Sequence, residues 1–101
     1  MAHIDLGPDE HDFPGLNGPM RFRPETPRPL NALAQELLYE DNTLPRGDRE
    51  LIAAYVSSQN SCSFCADSHS AFAAAQLDAG KDLVAHVRRD LESAPVSDKL
   101  R

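Results

Sequence analysis

Proline is spread unevenly along this chain, and that asymmetry limits the possible folds more than any other feature. Six of the eight prolines fall in residues 1–29 (Pro8, Pro14, Pro19, Pro24, Pro27 and Pro29), together with Gly7, Gly15 and Gly18. Proline withholds a backbone donor and turns the residue before it away from helix. Residues 1–29 therefore read as an extended arm, with turns at Pro14-Gly15 and Asn17-Gly18-Pro19. Its apolar residues Phe13, Leu16, Met20 and Phe22 are available to dock on a helical body or on a neighbour.

Beyond the arm the period is helical. Leu30, Leu33, Leu37 and Leu38 recur at i, i+3, i+7 and i+8, which predicts a helix ending near Glu40, broken by Asp41-Asn42-Thr43. Pro45 suits the start of a second helix over 46–59, with a stripe of Leu51, Ile52, Tyr55 and Val56. The other side of that helix carries Glu50, Ala53, Ala54 and Ser57, whose small neighbours allow another helix to come close. Asn60-Ser61 predicts a turn, followed by an alanine-rich helix from about Cys62 to Leu77. Asp78-Ala79-Gly80 ends it, with Gly80 suited to left-handed backbone. A fourth helix over about 81–91 places Leu83, Val84, Val87 and Leu91 on one face.

No alternating β-branched run is present. The expected class is all-α: a compact bundle of about four helices over 30–101, preceded by the arm. After Pro95, the segment Ser97-Asp98-Lys99-Leu100-Arg101 reads as a helix start capped by Ser97. The expectation is either a frayed tail or a domain truncated at its C-terminal end. Truncation would leave apolar surface for self-association to cover.

The 101 residues suffice for one domain, and 10 Lys plus Arg against 16 Asp plus Glu give a net charge of −6. That balance argues against nucleic-acid binding, which needs a basic face. No apolar run approaches the ~20 residues of a membrane span. Met1-Ala2-His3-Ile4-Asp5 lacks the basic-then-apolar pattern of a secretory leader. Two cysteines three apart form no disulfide framework of the secreted kind. The expectation is a cytoplasmic protein without nucleic-acid or membrane partners.

The candidate chemistry lies in Cys62-Ser63-Phe64-Cys65-Ala66-Asp67-Ser68-His69. At about 100° per residue, with Cys62 at 0°, Cys65 falls near 300° and His69 near 340°, all on one helix face. A helix N-terminus stabilises a thiolate, and a histidine four residues after Cys65 is within reach as a base. This outlines a dithiol redox site. Three other readings stand beside it. Cys62, Cys65 and His69 could ligate zinc, with a fourth ligand from Glu50, His86 or another chain. Thioredoxin-like exchange would need a βαβ neighbourhood, whereas the surroundings here are helical. Alternatively the cysteines are small packing residues beside a satisfied histidine. Glu50 is the further candidate. If the small-residue side of its helix faces Cys62–His69, its carboxylate sits behind His69; otherwise it pairs with Arg46 at the surface. Tyr55 is expected in the core, and His3, His11 and His86 at the surface or its boundary.

The stretch Arg46-Gly47-Asp48-Arg49-Glu50-Leu51-Ile52-Ala53, with Ser61-Cys62-Ser63-Phe64-Cys65-Ala66-Asp67-Ser68-His69-Ser70-Ala71, resembles the carboxymuconolactone decarboxylase-like superfamily. Within it the resemblance is to the alkylhydroperoxidase D-like, peroxidase-related branch. Its pattern is a glutamate twelve residues before a CxxCxxxH helix start, here Glu50, Cys62, Cys65 and His69, and the similarity covers roughly 28–92, with Phe22-Arg23-Pro24-Glu25 also matching. The resemblance implies an all-helical fold assembling as trimers or hexamers, and reduction of hydroperoxides without a cofactor. Cys65 would be the attacking thiolate, Cys62 the resolving thiol, and Glu50 with His69 the proton relay. A dithiol reductant such as a lipoyl-bearing protein would restore the pair. Some members carry a histidine where this chain has Phe64, which exchanges a proton donor for an apolar wall. The decarboxylase branch generally lacks the dithiol, so lactone decarboxylation is a lesser reading. A non-enzymatic, redox-responsive helical module is the main alternative.

Overall fold

The computed structural model describes residues 4–7 and 12–101. His3 and His11 lie outside the described residues. Five helices and no strand occur among the described residues: α1 (Asn17–Phe22), α2 (Pro27–Leu38), α3 (Arg46–Gln59), α4 (Ser63–Gln76) and α5 (Gly80–Arg89). The all-α class expected from the sequence is observed. The chain divides into two compact units, residues 1–40 and 41–101.

In the first unit the arm is not extended throughout. The Pro14-Gly15 turn forms, with Gly15 at φ +63°, but Asn17-Gly18-Pro19 opens α1 instead of making a second turn. Likewise α2 starts at Pro27, three residues ahead of the leucine stripe. The reason is positional. Pro19, Pro27 and Pro29 all fall in the first turn of a helix, where the missing N–H has no intrahelical partner anyway. The Arg21 guanidinium lies 4.0 Å over the Phe13 ring. Thr26, ahead of α2, donates from Oγ1 to the Arg23 carbonyl at 2.7 Å. No residue of α2 is buried, and Leu30, Leu33 and Leu37 are exposed.

In the second unit α3, α4 and α5 pack on one another around Leu51, Ala73, Val84, Val87 and Ala94. Tyr55, Ala74, Leu77, Leu83, Leu91 and Val96 close in from the edges. Burying each Val or Leu contributes about 1.5–3 kcal/mol, so these few side chains dominate the stability of the unit. The stripe expected on α3 is only half used: Leu51 is buried and Tyr55 packs on the core, while Ile52 and Val56 are exposed. The small side is the one that is covered, with Ala54 and, across on α4, Ala66 fully buried. Gly80 takes the left-handed backbone expected of it, at φ +52°, and leads straight into α5.

Past α5 the chain turns back so that Ala94 reaches the core. Ser93 Oγ donates to Asp90 Oδ2 at 2.5 Å, so His86 Nε2, 2.9 Å from the same hydroxyl oxygen, is the donor to it. The Ser93 hydrogen bond holds the Asp90 carboxyl below its usual 3.8, aided by backbone N–H groups of residues 92–93 and by His86. A depressed native value stabilises the fold above the ordinary aspartate range, and that contribution is lost as pH falls through the native value. Thermal midpoints of wild type and Asp90→Asn should therefore differ above the ordinary aspartate range and converge as pH falls through the depressed native value. At the end of the chain Leu100 and Arg101 amides bond the Ser97 carbonyl, giving the single turn that Ser97 was expected to start. Arg101 also reaches back to the Ala94 carbonyl at 2.8 Å.

Candidate active site

The path from α3 to α4 is set by one backbone motif. The Cys62 amide donates to the Ser57 carbonyl at 3.0 Å and the Ser61 amide to the Ser58 carbonyl at 3.1 Å, a Schellman closure of α3. Ser61, at φ +58°, holds the left-handed position that glycine usually fills. The residue after it, Cys62, is already the N-cap of α4, and its carbonyl accepts the first helical bond, from Ala66 at 2.9 Å. The same closure that stops one helix thus places the first sulfur at the head of the next. Ser61→Gly relieves about 1–2 kcal/mol of left-handed strain and adds about 0.5–1 kcal/mol of unfolded-chain entropy. It should raise stability by about 1 kcal/mol in denaturant melts.

Cys62 and Cys65 form a disulfide, their Cα atoms 5.4 Å apart. Cys65 is the third residue of α4, inside the turn whose N–H groups lack helical partners. Both cysteines are half-buried. His69 is one turn further along α4. Its Nδ1 is 2.7 Å from Glu50 Oε2 on α3. Glu50 is 1% exposed and is the largest fully buried side chain described, whereas the His69 side chain is 29% exposed. With Nδ1 occupied by the carboxylate, Nε2 is the ring nitrogen on offer to a substrate. Ala54 and Ala66, at 0% exposure, let α3 and α4 approach closely enough for the Glu50–His69 contact.

The structure thus brings all four sequence-predicted residues onto the α3–α4 pair. Glu50 meets His69 and not the surface, because the small side of α3 is the covered side. Among the described residues, no group of three or more His, Cys, Asp or Glu is arranged to hold a metal ion. Sequence reasoning passed over Arg88, on α5, which donates from Nη1 to Asp67 Oδ1 at 3.0 Å and to Ser70 Oγ at 3.1 Å. It ties α5 to the helix that carries the cysteines and His69. No local signal marks it, since its partners lie 18 and 21 residues away.

Fold and site together define an all-helical protein built round a disulfide-bonded CxxC pair, with a histidine anchored by a buried glutamate. The chain belongs to the carboxymuconolactone decarboxylase family, whose family profile matches residues 24–100. No curated protein and no solved structure matches the chain. No helix among the described residues is long and apolar enough to cross a membrane.

Proposed function

We propose that this protein is a dithiol hydroperoxide reductase. The observation that carries the reading is the fully buried Glu50 carboxylate bound to His69, one turn from Cys65 of the CxxC pair. A buried carboxylate–imidazole pair is a poor way to stabilise a fold. Desolvation offsets most of its attraction, and an apolar side chain at position 50 would pack at lower cost. Such a pair beside a redox-capable dithiol fits a proton relay.

In the reduced enzyme Glu50 fixes the His69 ring through Nδ1, and Nε2 takes the Cys65 thiol proton directly or through one water. The unpaired N–H groups of the first turn of α4 favour the resulting thiolate. The thiolate attacks the distal oxygen of the hydroperoxide and the O–O bond breaks. Cys65 becomes a sulfenic acid, and the departing alkoxide leaves as an alcohol after taking the proton held by His69. The Cys62 thiol then attacks the sulfenic sulfur, releasing water and closing the disulfide. An external dithiol, such as a lipoyl group on a partner protein, reduces that disulfide and is itself oxidised. Exposed Leu30, Leu33, Leu37, Ile52, Val56 and Phe72 support homo-oligomeric assembly, since apolar surface of this kind is ordinarily covered by a partner. The family membership and the absence of a membrane-spanning helix among the described residues are compatible with a cytoplasmic antioxidant role.

The reading is tested by peroxide consumption in the presence of dihydrolipoamide. Catalytic turnover, with many peroxides consumed per chain, is expected. A single stoichiometric oxidation with no turnover would assign the protein to the redox-responsive, non-enzymatic class.

A further inference from the structure

A second feature lies on the other side of α4. Between α4 and α5 runs an open groove of about 640 Å³, within the size range of small-molecule sites. Its walls are methyl groups: Ala71, Ala74 and Ala75 from α4, with Val84 and Ala85 from α5. Taking Cys65 as 0°, Ala74, Ala71 and Ala75 fall near 180°, 240° and 280°, while His69 falls near 40°. The groove therefore faces away from the sulfur and imidazole line and is not where the peroxide reacts.

Its charge is opposite to that of the molecule. The chain carries −6, yet among the described residues the only ionisable ones lining the groove are Lys81 and Arg88, with no carboxylate. They are seven residues apart on α5, about 10 Å, so each end of the apolar trough has a cation. Arg88 is half-buried and spends Nη1 on Asp67 and Ser70, while its other nitrogens make no bond among the described residues. The ion pair with Asp67 is weakly held, because the Asp67 side chain is 72% exposed and can exchange the guanidinium for water when a ligand arrives. Among the described residues no aromatic face lines the walls, so a planar ring finds nothing there to stack on, whereas an unbranched chain makes van der Waals contact along them.

We propose that this groove binds a free, medium-chain aliphatic carboxylate, with its methylenes along the alanine walls and its carboxylate on the Arg88 guanidinium, which offers a two-pronged donor set. The site is separate from the dithiol centre and does not depend on the reductase reading.

The probes are hexanoate, octanoate and decanoate, titrated calorimetrically into the full chain, with decylamine as the same tail bearing the wrong charge. Saturable one-to-one binding is expected for the carboxylates, tightening about fourfold per methylene until the groove is full. Arg88→Gln should weaken decanoate about tenfold or more. Because Arg88→Gln also loses the Asp67 and Ser70 bonds, the deciding variant is Ala85→Phe, at an exposed position that fills the trough without entering the core. It should abolish decanoate binding while peroxide consumption stays at the wild-type level. Equal binding of decylamine, unchanged binding by Ala85→Phe, or no saturable binding at millimolar ligand would each overturn the proposal. So would a wild-type oligomer that Ala85→Phe dissociates in sedimentation, because the groove would then be covered by a second copy.

Discussion

Cys65→Ser protein should consume hydroperoxide no faster than the dithiol reductant does alone. In the proposed scheme only a thiolate at position 65 lies both in the unpaired first turn of α4 and one turn from His69. A serine hydroxyl there does not ionise at neutral pH and cannot form the S–O bond. Cys62→Ser should behave differently. Its remaining thiolate still attacks one equivalent of peroxide, but with no resolving thiol the sulfenic acid persists and is over-oxidised to sulfinic acid as peroxide accumulates. Intact-mass measurement after trapping of free thiols separates the two variants. One added oxygen on Cys62→Ser, with none on Cys65→Ser, is the expected pattern. The reverse would exchange the roles of the two cysteines, and two unreacted thiols in the reduced wild type after peroxide treatment would end the scheme.

The second large effect concerns Glu50. Glu50→Gln preserves shape, and its amide oxygen still accepts from His69 Nδ1–H, so the fold and the ring orientation survive. The substitution removes the negative charge that supports the imidazolium formed when His69 takes the Cys65 proton. Peroxide turnover should fall about 10²-fold, at the lower end of what general acid–base groups contribute. Alkylation of Cys65 in the reduced protein should slow in parallel, because thiolate formation is the step affected, and a purely structural role would leave it unmoved. Glu50→Ala is the contrasting control. It opens a cavity at a position only 1% exposed and strips His69 of its partner, at a cost of roughly 2–4 kcal/mol in stability. Equal turnover by wild type and Glu50→Gln would show that the carboxylate is a packing feature and not part of the relay.

The helices of residues 41–101 were legible because local patterns encode them. Pro45, the Asn60-Ser61 turn and Gly80 mark the boundaries of α3, α4 and α5 to within about a residue or two. The shared face of Cys62, Cys65 and His69 follows from helix pitch alone. Where local pattern misled, the misleading cue was itself local. Proline density in residues 1–29 read as extended chain. Yet a proline in the first turn is compatible with helix, and α1 and α2 both start that way. The stripe on α3 pointed to Ile52 and Val56 as covered positions, and both are exposed.

The sequence by itself determined that the chain is helical, where the sulfurs sit relative to the helix start, and that an imidazole follows one turn later. Those features depend on interactions within four residues, which a linear pattern records. Only the tertiary structure decided which side of α3 is buried, that Glu50 meets His69, and that Arg88 bridges to Asp67 and Ser70. The reason is that these contacts join different helices. Their partners are selected by how closely alanine-lined faces can approach, and that distance is fixed when Ala54 and Ala66 are buried between α3 and α4.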